Sequence, residues 1–263
     1  MTTGMNDDAP RPLFTYYGGK WRDGLAYPTP IHDVIIEPFA GSAGYALRHW
    51  RKKVLLVEAN PKIADVWEWV IAAPVEDILA LPDVLDGQST DDLDIPSAAK
   101  LLIGWCLGKG LAEPNKRAGG WARNPEYRSQ FWGPERRTRI AATAAAIRHW
   151  EVIRASYEQA PDIIATWFID PPYSTAAGRR YRYSEMDYPY LAHWVRNRRG
   201  QVIACGEAEE TWLPFRPLHR VRGTSGRHKR SMLHEGIWSG GDHLSVDGAD
   251  PRKPLRHNGS GTS

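Results

Sequence analysis

Short apolar runs alternate with longer amphipathic stretches along most of the chain. Short runs rich in β-branched and aromatic residues predict buried strands, and the longer stretches predict helices with one apolar face. The predicted strands are Val34–Glu37, Val54–Val57, Val152–Ile153, Ala165–Ile169 and Gln201–Cys205, followed by a closing antiparallel pair, Leu218–Arg222 and Met232–Trp238. Strands that alternate with helices predict an α/β protein.

The helical stretches fall between these strands. They are a short helix ending near Trp50, then Ile63–Ala72, Val75–Leu81, Ser97–Leu107, Glu135–Trp150, Tyr188–Arg198 and a short helix over Glu207–Leu213. The acidic, turn-rich stretch Asp83–Pro96 predicts a loop. The polar ends, 1–12 and 239–263, predict a disordered leader and a disordered tail.

Composition limits the kind of protein. The chain has 263 residues, of which 42% are hydrophobic and 25% charged, values typical of a globular domain. The net charge of +3 is too small to indicate a nucleic-acid partner by itself. Cys106 and Cys205 stand far apart without metal-ligand spacing, so we expect buried free thiols and no metal. Without a signal-peptide pattern or a membrane-length apolar run, we expect a soluble, cytoplasmic protein that does not bind membranes. We also expect a monomer, although the sequence itself does not give the oligomeric state.

The stretch Asp170-Pro171-Pro172-Tyr173 comes directly after the apolar run Ala165–Ile169. Two prolines cannot continue a helix or a sheet ladder, so the chain leaves the strand as a stiff elbow. A carboxylate and an aromatic ring are therefore held at the carboxyl end of a strand, where open α/β sheets bind ligands.

Two other strands end in residues suited to a nucleoside. Val34–Glu37 is followed by Pro38-Phe39-Ala40-Gly41-Ser42 and a helix start, a layout that lets the backbone approach a ligand. Glu58 ends the next strand, where a carboxylate can accept both ribose hydroxyls. The six-residue dinucleotide glycine motif is missing, so a nucleoside without a pyrophosphate fits better.

Three motifs occur together in a characteristic order: Tyr17-Gly18-Gly19-Lys20, Glu37-Pro38-Phe39-Ala40-Gly41-Ser42 and Asp170-Pro171-Pro172-Tyr173. In this combination the chain resembles the Dam-type adenine-N6 DNA methyltransferases, which use S-adenosylmethionine. One departure is that Ala43 stands where the family usually has glycine, with Gly44 one step later. The resemblance implies a doubly wound, mostly parallel sheet of the Rossmann-like methyltransferase type, with an inserted, mainly helical target-recognition lobe.

The resemblance also implies roles for individual residues. Asp170, Pro171, Pro172 and Tyr173 would be catalytic. The residues implied to bind the cofactor are Tyr16, Tyr17, Gly18, Gly19, Lys20, Glu37, Pro38, Phe39, Ala40, Gly41, Glu58, Ala59, Asn60 and Asp170.

The resemblance assigns 13–75 and 135–238 to the catalytic domain and 76–134 to the recognition lobe. Arginines interleaved with aromatic residues within the lobe and after the elbow suit a surface that contacts phosphates and stacks on bases. The residues expected to bind double-stranded DNA are Lys116, Arg117, Arg123, Arg128, Arg179, Arg180 and Arg182.

The chemistry follows from the acceptor. The exocyclic amine of adenine is a poor nucleophile because its lone pair is delocalised into the ring. The Asp170 carboxylate and the Pro171 carbonyl can each accept a hydrogen bond from an N–H of this amine and so direct its lone pair at a methyl group. Tyr173 would stack on the base. The base must be flipped out of the duplex to be reached.

Other readings stay open. Similar elbows serve the methylation of RNA bases and of glutamine side chains, and a methyltransferase-like module could bind nucleic acid without turnover. A nicotinamide oxidoreductase is disfavoured because the pyrophosphate loop is missing. The sequence does not give the DNA recognition sequence. It also does not show whether the enzyme is part of a restriction system, is encoded by a phage or serves regulation in its host.

Overall fold

The computed structural model describes residues 8–124, 130–174, 185–222 and 232–241. Within these residues seven strands form one sheet, and the predicted α/β architecture is confirmed. The strands are β1 (Val34–Glu37), β2 (Lys53–Glu58), β3 (Glu151–Arg154), β4 (Ala165–Ile169), β5 (Gly200–Glu207), β6 (Arg216–Arg222) and β7 (Met232–Gly240). The helices are α1 (Gly44–Arg48), α2 (Pro61–Ala72), α3 (Val75–Leu79), α4 (Ser97–Cys106), α5 (Gly120–Arg123), α6 (Pro134–Ala146) and α7 (Tyr188–Arg196).

The strand order is β3-β2-β1-β4-β5-β7-β6. Among the described strands, β7 pairs antiparallel with both β5 and β6, and the other pairs are parallel. The order reverses between β1 and β4, so the connections after these two strands diverge and open a crevice at the carboxyl edge of the sheet. The sheet is therefore Rossmann-like, with β7 inserted between β5 and β6.

Both faces of the sheet are covered. On β1, Ile35 packs in a core shared with α1, α2, α4 and α6, whereas Ile36 belongs to a second core on the opposite face with α7. All five residues of β4 are buried. Burial on both faces is typical of parallel strands, and it explains why β4 reads as a continuous apolar run.

Local sequence signals set the helix starts on either side of the crevice. Asn60 caps α2 by accepting the backbone N–H of Lys62, and Pro61 occupies the first helical position. Asp187 caps α7 in the same way, accepting the backbone N–H of Tyr190. These caps fix where the chain turns back after β2 and before α7.

The separate recognition lobe predicted for 76–134 is not confirmed. Leu102 and Trp105 of α4 and Trp132 belong to the same core as Leu56 of the sheet. The indole N–H of Trp132 donates to the carbonyl of Pro82 at 2.8 Å. The described part of this range therefore packs on the sheet through a shared apolar core.

Two predicted helices differ from the structure by more than two residues. The helix predicted for Glu135–Trp150 ends at Ala146, because Ile147 leaves the helical conformation at φ −109° and ψ 17°. The helix predicted over Glu207–Leu213 is wrong, since β5 continues through Glu207 and turns follow it. There the carboxylate of Glu210 accepts the backbone N–H of Glu207 at 3.3 Å and holds the turn.

The predicted leader is anchored where it is described. The carbonyl of Pro10 accepts the indole N–H of Trp21 at 3.0 Å, and the carbonyl of Arg11 accepts the hydroxyl of Thr143 at 3.3 Å. At the other end β7 runs to Gly240, and the rest of the predicted tail, from 242, lies outside the described residues. The described helices include none that is long and apolar enough to cross a bilayer.

Candidate functional site

A cavity of about 640 Å³ lies where the strand order reverses, at the carboxyl ends of β1, β2 and β4. Its volume is within the range of small-molecule sites. Every residue predicted to bind the cofactor lines it, from the Tyr16–Lys20 turn to Asp170. Of the predicted catalytic residues, Asp170 and Pro172 line the cavity, whereas Pro171 and Tyr173 are not among the lining residues.

The turn Tyr16–Lys20 forms one wall. The backbone N–H of Gly19 donates to the carbonyl of Tyr16 at 3.2 Å, and Gly18 adopts a positive φ of 72°. The backbone N–H of Tyr17 donates to the carbonyl of Leu111 at 3.3 Å. This wall is therefore tied to the chain that follows α4.

The loop between β1 and α1 forms the floor. Gly41 has a φ of +46°, and Ala43 adopts a left-handed conformation at φ 49°. A left-handed conformation favours glycine, which is the residue that the resembled family usually carries at that position. A Cβ on Gly44 would lie 2.5 Å from the backbone nitrogen of Trp21 and 2.8 Å from the carbonyl carbon of Lys20. Gly44 thus allows α1 to pack directly on the glycine turn.

Glu37 is buried beneath this floor. Its carboxyl group accepts the backbone N–H of Ala46 at 2.5 Å and so satisfies an N–H in the first turn of α1. Burial raises the pKa of Glu37 to about 8, although the Ala46 N–H opposes the rise. At neutral pH the Glu37 side chain is therefore mostly an uncharged acid.

Glu58 ends β2 and links two loops. One carboxylate oxygen accepts the backbone N–H of Asn60 at 2.8 Å, and the other accepts the N–H of Gly41 at 2.9 Å. Burial raises the pKa of Glu58, while the backbone donors of Asn60, Gly41 and Ala59 lower it. Glu58 also lines the cavity, so the fixed carboxylate can accept a hydrogen bond from a hydroxyl group of a ligand there.

Lys20 and Asp170 form a buried ion pair. The Lys20 ammonium donates to both carboxylate oxygens of Asp170, at 2.8 and 2.9 Å, and to the carbonyl of Gly18 at 3.1 Å. Burial opposes the charge on Lys20, but the carboxylates of Asp170 and Glu235 raise its pKa well above the usual value. Burial raises the pKa of Asp170 to about 6 against the effect of Lys20, so Asp170 is mostly ionised at neutral pH.

The elbow after Asp170 is held by tyrosines. The hydroxyl of Tyr188 donates to the carbonyl of Pro172 at 2.7 Å. The hydroxyl of Tyr173 donates to the carboxylate of Glu235 on β7, also at 2.7 Å. The Lys20 ammonium lies over the ring of Tyr173, with its nitrogen 5.0 Å from the ring centroid.

Sequence reasoning missed part of the cavity. Its rim also includes Ser156, Tyr157 and Glu158 after β3, and Glu185, Met186, Asp187 and Tyr190 around the start of α7. The ring of Tyr157 stacks on Phe39 with centroids 5.2 Å apart. The end of β3 meets the same edge as the ends of β1 and β2, so its position was a usable signal.

The predicted DNA-contacting residues are only partly described. Lys116 forms an ion pair with Asp91 at 2.6 Å, and Arg123 lies 3.6 Å from Asp86. Arg117 is exposed, while Arg128, Arg179, Arg180 and Arg182 lie outside the described residues. The acidic loop Asp83–Pro96, which contains Asp86 and Asp91, therefore neutralises some of the positive charge predicted for this surface.

No group of three or more His, Cys, Asp or Glu side chains that could hold a metal is found among the described residues. Cys106 and Cys205 are both buried free thiols.

The fold and the cavity define an α/β protein with a Rossmann-like sheet and a ligand-sized cavity at its switch point. Comparison of the sequence with protein-family models and with curated proteins found no match. The methyltransferase family therefore stays a prediction from the three motifs.

Proposed function

We propose that this protein transfers a methyl group from S-adenosylmethionine to N6 of adenine in duplex DNA. The observation that carries the proposal is that Asp170, at the end of β4, shares one cavity with Phe39, Gly41 and Glu58 at the ends of β1 and β2. A methyl donor seated on β1 and β2 would then face the elbow that holds the acceptor.

The cavity residues fit a nucleoside with a short polar tail. Glu58 is held by the backbone N–H groups of Gly41 and Asn60 and lines the cavity, where its carboxylate is proposed to accept the ribose hydroxyls. Phe39, which lines the cavity and stacks on Tyr157, offers an aromatic ring for a purine. The Gly18–Gly19 turn lets backbone come close to the methionine end, beside the Lys20 ammonium. When bound, S-adenosylmethionine supplies a methyl group already activated by a positive sulfur.

The protein then has to position the amine rather than supply a strong base. Asp170 is mostly ionised at neutral pH, and Lys20 occupies one lone pair on each of its oxygens. A remaining lone pair can accept an N–H of the adenine amine, and the Pro171 carbonyl is proposed to accept the other. Correct placement of the amine nitrogen and the methyl carbon is expected to supply most of the rate enhancement.

Duplex DNA has to be held while the base is extruded. Of the described basic candidates, Arg117 is exposed, and Lys116 and Arg123 would exchange Asp91 and Asp86 for phosphates. The proposal for DNA rests on these exposed cations and on the resemblance in sequence.

The test is methyl transfer from labelled S-adenosylmethionine to duplex DNA, to RNA and to a glutamine-containing peptide. We expect label in duplex DNA, recovered as N6-methyladenine. The Asp170→Ala variant should lose transfer while still binding the cofactor in a calorimetric titration. Label in RNA or peptide alone would replace DNA as the acceptor, and undiminished DNA methylation by Asp170→Ala would refute the mechanism.

A further inference from the structure

Glu235 reaches the site from β7, a part of the chain that none of the three motifs includes. One of its carboxylate oxygens accepts the hydroxyl groups of both Tyr27 and Tyr173, each at 2.7 Å. The same oxygen lies 3.6 Å from the ammonium of Lys20. Its side chain is only 12% exposed, so these contacts replace most of its hydration.

The strand register explains why Glu235 arrives there. β7 pairs with β5 so that Glu235 lies opposite Glu207 and Ile237 lies opposite Cys205. Side chains at alternate positions of a strand share a face, and Ile237 and Cys205 belong to the core that also contains Tyr27. Glu235 thus points from the edge of this core toward the elbow.

Burial of a carboxylate is unfavourable unless its hydrogen bonds are satisfied. Two phenol donors and a nearby ammonium provide that compensation for Glu235. The arrangement also constrains its partners, because Tyr173 can rotate away only by leaving Glu235 with one phenol donor instead of two. Tyr27 is fixed independently, since its ring packs edge-on against Phe168 with centroids 5.0 Å apart.

Lys20 connects Glu235 to the ion pair. Its ammonium contacts Asp170 at 2.8 Å, lies near Glu235, and sits over the ring of Tyr173. A change in the charge of Glu235 is therefore felt by Asp170 directly and through their shared lysine.

We propose that Glu235 is a positioning residue that fixes the ring of Tyr173 and the ammonium of Lys20. Through them it sets the orientation and the charge of the Asp170 carboxylate. This role deepens the proposed methyl transfer, but the arrangement itself exists independently of that reaction. The charged and titratable groups around Asp170 are Lys20, Glu235, Tyr173, Tyr27, Cys205 and Glu37.

The first test does not depend on enzyme activity. The Asp170 carboxyl group can be titrated by ¹³C NMR in the full chain, with its signal assigned by its loss in Asp170→Asn. Because Glu235 is a like charge that raises the pKa of Asp170, Glu235→Gln should lower that pKa by roughly one unit. The exposed Glu76→Gln serves as a matched control and should leave it unchanged. An unchanged Asp170 pKa in folded Glu235→Gln would overturn the proposal.

The second test rests on the proposed function. Glu235→Gln keeps an oxygen acceptor for the phenols but removes the charge that strengthens their hydrogen bonds. It should therefore lower kcat for methyl transfer about tenfold, with little change in cofactor Kd. Tyr173→Phe removes one of the two hydroxyl groups that donate to Glu235. The double variant, Tyr173→Phe with Glu235→Gln, should therefore be no slower than the slower single variant. Additive losses would show that Glu235 does not act through Tyr173 and would overturn that part of the proposal.

Two further outcomes remain decisive. If the wild-type protein methylates no acceptor, the proposed function fails, and the NMR titration alone decides the role of Glu235. If Glu235→Gln does not fold, Glu235→Asp takes its place, since it keeps the charge but withdraws it from the phenols. Wild-type kcat and Asp170 pKa in Glu235→Asp would contradict the proposal.

Discussion

At the scale of single residues, the site depends on carboxyl groups whose charge is set by burial. Asp170 forms an ion pair with Lys20 and is mostly ionised at neutral pH, while Glu37 accepts a backbone N–H, feels Lys20 from farther away and is mostly protonated. The two side chains lie at the ends of neighbouring strands, yet one carboxyl group is ionised and the other is neutral. The difference follows from the cation beside Asp170.

The state of Glu37 predicts a pH dependence of stability. Its pKa is about 8 in the folded protein and near 4.5 when unfolded, so the folded state holds more protons between these values. Glu37 therefore makes the protein less stable as pH rises through this window, by up to about 1.4 kcal/mol per pH unit. Glu37→Gln keeps an oxygen acceptor for the Ala46 N–H and removes the titration.

Denaturant unfolding of both proteins between pH 5 and 9 checks this. The unfolding free energy of Glu37→Gln, relative to wild type, should increase with pH up to about 8 and then level off. Other buried acids are present in both proteins and cancel in the difference. The exposed Glu76→Gln should give a flat difference, and a flat difference for Glu37→Gln would show that the Glu37 pKa is not raised.

At the scale of elements, the contact between α1 and the Tyr16–Lys20 turn shapes the floor of the cavity. The loop bends through Gly41 and Ala43, both at positive φ. Gly44 then lets the helix approach the backbone of Lys20 and Trp21. Any atom added at Gly44 has to push the glycine turn away from the helix.

The expected result of Gly44→Ala is a loss of stability of about 2 kcal/mol or more, because the new Cβ meets rigid backbone atoms. The displaced turn should also weaken cofactor binding. Gly119→Ala is the matched control, since its Cβ would meet nothing within 4 Å. Denaturant unfolding and calorimetry measure both effects. A Gly44→Ala protein as stable as Gly119→Ala would contradict this account of the packing.

Elements were predicted where their signals are local. β1, β2 and β4 are short apolar runs buried on both faces, and Pro61 with its Asn60 cap starts α2. The helix predicted over Glu207–Leu213 was wrong because β5 extends through Glu207 to pair with β7. Such pairing is set by distant residues, and local patterns do not contain it.

At the scale of the whole molecule, the strand order places the cavity and the charge pattern shapes the surface beside it. The elbow and the glycine loops could be predicted to meet, because parallel strands that flank a switch point end at one edge. Glu235 could not, since it comes from β7 and reaches the site only through the sheet register. The ion pairs between the acidic loop and Lys116 or Arg123 were also not predictable from sequence spacing.

These ion pairs predict that the acidic loop restrains binding to DNA. Asp91→Asn should free Lys116 and raise affinity for duplex DNA by roughly two- to fivefold at low salt, the range expected for an exposed ion pair. The same substitution at the exposed Asp77 on α3 should have a smaller effect. Fluorescence anisotropy over a series of salt concentrations measures this. Equal effects of the two variants would show that Lys116 does not contact DNA.

The most direct test of the central claim is a crystal structure of the protein with S-adenosylhomocysteine. We expect the ribose at Glu58, the purine beside Phe39, and the sulfur facing the carboxylate of Asp170 within one cavity. A nucleoside bound elsewhere, or bound with its sulfur turned away from Asp170, would contradict it.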